Sequence, residues 1–76
     1  MTNKSIENIE RYTYLFDKYK SFLTQTQMQV FTLYFYEDLS YGEIAEITAT
    51  TRSAAYDALS KALKKLDKIA VQMEEA

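Results

Sequence analysis

No proline and a single glycine, Gly42, occur in the 76 residues of this chain. Without those two residues, helices have to be started and stopped by side-chain caps. Three starts are visible. Thr24-Gln25-Thr26-Gln27 and Ser40-Tyr41-Gly42-Glu43 each place Gln or Glu three residues after a hydroxyl, the capping-box pattern. Thr51 stands before Arg52-Ser53-Ala54-Ala55 as a simple N-cap.

Hydrophobic periodicity fills the segments between these caps. A first helix is predicted from about Ser5 to Phe22, with Ile6, Ile9, Thr13, Phe16, Tyr19 and Leu23 as one stripe, widened by Leu15 and Phe22. A second, from about Gln25 to Tyr36, is apolar around most of its circumference, as a central buried helix would be. A short third helix, about Tyr41 to Ile47, turns Ile44, Ala45 and Ile47 inward. The fourth runs from Arg52 to about Met73 on a stripe of Ala55, Leu59, Ala62, Leu63, Leu66, Ala70 and Met73. It is too long for so small a domain to cover, so the part past Leu66 is expected to project and pack on the first helix or on another chain. The predicted fold class is all-α: one small four-helix domain over 1–76, with a long last helix.

What is missing narrows the chemistry. There is no Cys and no His, which removes thiol nucleophiles, thiolate metal sites and the commonest general base. One glycine cannot build a phosphate-cradling loop. The carboxylates stand in no pattern with a nucleophile or metal partner, so no catalytic, metal or cofactor site is expected. No apolar run reaches the roughly 18 residues of a membrane span, and MTNKSIENIERY holds no apolar signal core. The chain reads as a small, soluble, cytoplasmic protein. Its aromatic residues fit core packing; a base-stacking platform is the weaker reading.

Residues 40–60 carry the informative spacing. A short capped helix offers small Ala45 at the crossing point. Thr48 to Thr51 can make a tight turn. Thr51, Arg52 and Ser53 then open a second helix outward while Ala55 and Leu59 pack back. This is the pattern of a helix-turn-helix, although a plain helical hairpin shows similar spacing. Charge argues the other way: Arg52 stands against Glu43, Glu46 and Asp57, a net −2 for 40–60, whereas duplex binding draws on phosphate neutralisation. Lys61, Lys64, Lys65 and Lys68 form a later stripe that either lies along a nucleic-acid backbone or is a solvated helix face.

The runs Tyr14-Leu15-Phe16-Asp17, Leu33-Tyr34-Phe35-Tyr36-Glu37-Asp38-Leu39-Ser40-Tyr41-Gly42-Glu43-Ile44-Ala45-Glu46 and Thr51-Arg52-Ser53-Ala54-Ala55-Tyr56-Asp57 resemble the YlxM family of bacterial helix-turn-helix proteins. The resemblance covers about residues 12–66. It implies a helix-turn-helix similar to region 4 of sigma factors, with Thr51 as cap and Arg52 to Tyr56 as the exposed start of the recognition helix. It also implies a regulatory association with the signal recognition particle pathway, known by gene neighbourhood alone. Thr48 stands where the family tends to have an aromatic, and Thr50 and Ala55 where it tends to have Val or a similar apolar residue. These differences shrink the core under the motif and predict a less firmly held second helix. A C-terminal extension typical of the family is expected to be trimmed past Leu66.

Two functions follow as expectations. The first is a nucleic-acid-binding regulator of DNA or RNA: Arg52 on a phosphate or guanine edge, Ser53 and Tyr56 in neutral polar contacts, Thr51 capping and touching a phosphate, Lys61, Lys64 and Lys65 supplying charge. The second is a protein-interaction module that keeps the motif as scaffold. A homodimer through the fourth and first helices is expected from the long stripe of Leu59, Leu63, Leu66, Ile69, Ala70 and Met73. The competing arrangement consumes that stripe within one chain.

Overall fold

The computed structural model describes residues 4–74, and among them the chain is helical without strands. Four α-helices follow one another: α1 (Ile6–Tyr19), α2 (Gln25–Phe31), α3 (Tyr41–Thr48) and α4 (Arg52–Met73). Every start is capped by a hydroxyl. Ser5, Thr24, Ser40 and Thr51 accept from the amides of Asn8, Gln27, Glu43 and Ala54. Both capping boxes close, with Gln27 and Glu43 accepting from the Thr24 and Ser40 amides at 3.0 and 2.9 Å.

The first two helices end differently from the sequence expectation. α1 stops being α-helical at Tyr19 and tightens into a 3-10 turn, Lys20–Phe22. Leu23 and Thr24 must be extended to feed the next cap (ψ 154° and 163°), so the turns before them shorten. α2 widens into a π-helical stretch, Thr32–Tyr36, closed by Glu37 N–H on Thr32 O at 3.1 Å. This widening buries Tyr34 and leaves Tyr36 exposed.

The core is layered on Phe31. Its ring is fully buried and stacks on Phe16 of α1 at 4.2 Å with 5° between planes, while the Phe35 ring lies 4.6 Å away at a tilt of 33°. Ile44 of α3 and Leu59 and Leu66 of α4 complete the fully buried set with Val30. Four expected stripe residues are corrected: Ile6, Phe22, Ile47 and Met73 are exposed. Ile6 and Met73 sit in the terminal turns of α1 and α4, Phe22 lies past the end of α1, and Ile47 lies in the last turn of α3.

The part of α4 past Leu66 does not project. It lies along α1, where Arg11 Nη2 meets Asp67 at 3.2 Å and the Tyr12 hydroxyl donates to Asp67 at 2.9 Å. At its end Glu74 accepts from Tyr14 at 3.1 Å, from Lys18 at 2.9 Å and from the Tyr19 hydroxyl. Leu59, Leu63, Leu66 and Ala70 are therefore buried within one chain. The leftover stripe that argued for a homodimer is consumed, leaving Val71 and Met73 outside. Among the described residues, no helix is long and apolar enough to cross a membrane.

A candidate nucleic-acid interface on the α3–α4 corner

The corner between α3 and α4 begins with an unusual turn residue. Ala49 takes φ 56° and ψ 43°, the left-handed conformation that costs a residue with a Cβ about 1–2 kcal/mol. The chain accepts it because two bonds close behind it. Thr50 N–H reaches Ala45 O at 2.9 Å and Ala49 N–H reaches Glu46 O at 3.4 Å, a Schellman closure. Thr48 and Thr50 hold the same turn by polar means. Thr48 Oγ1 donates to Ile44 O at 2.8 Å and lies 3.0 Å from Thr50 Oγ1. The turn that the sequence reading expected to be loose is held by these hydrogen bonds, and Ala55 is buried at 2% exposure.

α4 then starts with its side chains aimed outward. Thr51 Oγ1 accepts from Ala54 N–H at 3.0 Å. The amides of Arg52 and Ser53, ahead of it, have no carbonyl within the helix and carry the positive end of its dipole. Arg52 lies back across α3. Its Nε would come within 3.2 Å of a Cβ placed on Gly42, so the missing side chain of the sole glycine leaves room for the guanidinium. Ser40, Tyr41, Arg52, Ser53, Tyr56 and Asp57 line an open depression of about 650 Å³. A smaller one of about 200 Å³ shares Tyr41 and Tyr56 with it and adds Ser60 and Lys64 further along α4. The Tyr56 ring meets Tyr41 edge-on at 5.3 Å, and Tyr41 stacks on Tyr34 at 5.1 Å. Tyr56 is thereby braced although it is 56% exposed.

The structure brings Thr51, Arg52, Ser53 and Tyr56 together on this corner, and Lys64 borders it. Lys61 and Lys65 are engaged elsewhere. Lys61 pairs with Asp57 at 3.0 Å, one turn back. Lys65 turns toward α2 and donates to Gln27 Oε1 at 3.2 Å, tying α4 to the Thr24–Gln27 capping box. Among the described residues, no carboxylate lies within ion-pair distance of Arg52, Lys64 or Lys68. The sequence reading missed Tyr41, Asp57 and Ser60 as members of this face. The signal was available: Ser53, Asp57 and Ser60 recur at four- and three-residue steps from the helix start.

Glu43 sits at the opposite end of α3's capping arrangement. The Ser40 backbone amide and hydroxyl that bond it hold its carboxyl below the ordinary 4.5. It is occupied as a cap and stays ionised there.

A short capped helix, a closed three-residue turn and a long second helix with its first turns exposed define this protein as a helix-turn-helix domain. Residues 6–75 match the family described as "UPF0122: Putative helix-turn-helix protein, YlxM / p13 like". The chain belongs to that family. It is 46% identical over 61 residues to a UPF0122 protein of Clostridium perfringens strain ATCC 13124, covering 80% of this chain and 54% of the relative. It is 46% identical over 56 residues to a UPF0122 protein of Bacillus thuringiensis strain Al Hakam, covering 74% of this chain and 51% of that one. The chain thus spans about half the length of the curated relatives it matches. No solved structure matches it. A small all-helical domain of this kind is not typical of an enzyme.

Proposed function

We propose that the chain is a regulatory nucleic-acid-binding module that lays the first turns of α4 against duplex DNA. One observation carries the reading. The face formed by Arg52, Ser53, Tyr56, Asp57 and Ser60 lies at the N-terminal end of α4, and among the described residues no carboxylate stands within ion-pair distance of its Arg52 and Lys64. In this reading Arg52 meets a phosphate or a guanine edge, Ser53 and Tyr56 make neutral polar contacts, and Thr51 fixes the helix start. Lys64 supplies charge. Lys61 and Lys65, which the sequence alone groups with it, contribute less because each already has a partner. The module acts as a single chain on a single half-site, since the stripe invoked for a homodimer is used internally. It works in the cytoplasm.

A second reading has its own support. The acidic balance of residues 40–60 and the Lys61–Asp57 pair favour a protein-interaction module that keeps the motif as scaffold. Structured RNA is a third arm of the same test, because the family resemblance carries an association with the signal recognition particle pathway. Gel shifts with duplex DNA and with a structured RNA, for the native chain and Arg52→Ala, separate the three. Shifted duplex that weakens at least fivefold in the variant, with unchanged helical circular dichroism, supports the DNA reading. A shift with RNA alone favours the RNA arm. No shift of either at low salt leaves the interaction module.

A further inference from the structure

Asp57 is out of place on a surface meant to meet phosphates. Its carboxylate is 61% exposed on the same depression as Arg52 and Tyr56, one turn into α4. A negative charge there repels the backbone of any nucleic acid and costs non-specific affinity. Such a group is tolerable on a reading face where it accepts a hydrogen bond from a base, and in the major groove the exocyclic amino group of cytosine is the matching donor. The fold supplies a device for holding it. Lys61 Nζ stands 3.0 Å from Asp57 Oδ2 across one helical turn, with the acid N-terminal to the base, the favourable order on a helix. Lys61 offsets the charge and leaves the second carboxylate oxygen for a partner outside.

We propose that Asp57 is a specificity-determining residue: its carboxylate accepts from N4 of a cytosine in the major groove, with Lys61 as its positioning residue. The proposal rests on the duplex-DNA reading above. It assigns Asp57 the choice of base, and leaves Arg52 mainly the attraction to the duplex.

The test is selection of bound sequences from a pool of randomised DNA duplexes by the native chain, Asp57→Asn and Asp57→Ala. The native chain should enrich cytosine at one position by about tenfold over other bases. Asp57→Asn should move that preference to adenine, whose N6 and N7 suit an amide. Asp57→Ala should erase it while binding the unselected pool about threefold more tightly, since a repulsive charge is gone. Both variants should melt within about 4 °C of the native chain, because an exposed i, i+4 pair contributes little to stability. The same base preferences in all three proteins, or duplex binding by the native chain with no preference at all, overturn the assignment while sparing the duplex reading. Absence of duplex binding by the native chain overturns the duplex reading, and the role of Asp57 with it.

Discussion

Leu66→Ala tests whether the second half of α4 is core or seam. Leu66 has no exposed surface in the single chain. Truncation removes three carbons, about 2.4 kcal/mol of transfer free energy at about 0.8 per carbon. The cavity left between α4 and its neighbours brings the loss to about 3–5 kcal/mol. A domain of this size holds about 4–11 kcal/mol in all, so about a quarter or more of its stability should go. At about 4–8 °C per kcal/mol the melting temperature should fall by at least about 12 °C. The assay is thermal melting by circular dichroism at 222 nm, for native chain and variant, over a hundredfold range of concentration. A self-contained core predicts a large drop and a native midpoint independent of concentration. A native midpoint that rises with concentration would show that α4 is stabilised by a second chain, and a small change in the variant would show that Leu66 is not core; either refutes the packing argument.

Three further outcomes follow from the caps and the terminal clamp. Glu74 is held near pKa about 2, first by the Tyr19 hydroxyl and then by Lys18. Because the folded value lies below the ordinary 4.5, its stabilisation is present above about pH 4.5 and is lost as pH falls toward 2. The melting-temperature gap between native chain and Glu74→Gln should close across that window, and a constant gap would refute the clamp. Ala49→Gly should stabilise by about 0.5–1 kcal/mol, since glycine removes the left-handed strain but adds chain entropy on unfolding; a destabilised variant in urea denaturation would contradict the turn geometry. Thr51→Ala should cost about 1 kcal/mol by losing the bond to Ala54 N–H, and Thr51→Ser should restore most of it in the same denaturation assay.

The caps were the legible part of this sequence. Thr24, Ser40 and Thr51 can be read directly as helix starts, because a hydroxyl and its acceptor pattern are local. The bounds of α4 follow from the same logic. The π-helical stretch at 32–36 was not legible, since α2 is apolar all round and its periodicity does not say which aromatic faces in. Nor was the clamp at Glu74: Tyr14, Lys18 and Tyr19 lie more than fifty residues away, and only the docking of α4 on α1 brings them together. At the site, Arg52, Ser53 and Tyr56 were legible from the turn position. The Lys61–Asp57 pair was visible in the four-residue spacing, but a stripe of lysines counted by charge alone hides it. The turn of Lys65 toward Gln27 depends on how α4 crosses α2, which no local pattern encodes.

The measurement closest to the central claim is the salt dependence of duplex DNA binding, followed by fluorescence anisotropy. Arg52 and Lys64 are the basic side chains on the α4 face without a carboxylate partner among the described residues. Two phosphate contacts correspond to a slope of about −2 in log affinity against log salt. The account predicts that slope for the native chain and one shallower by about 1 for Arg52→Ala. Affinity that does not change with salt, or a slope identical in the variant, would contradict the claim that this corner meets nucleic acid.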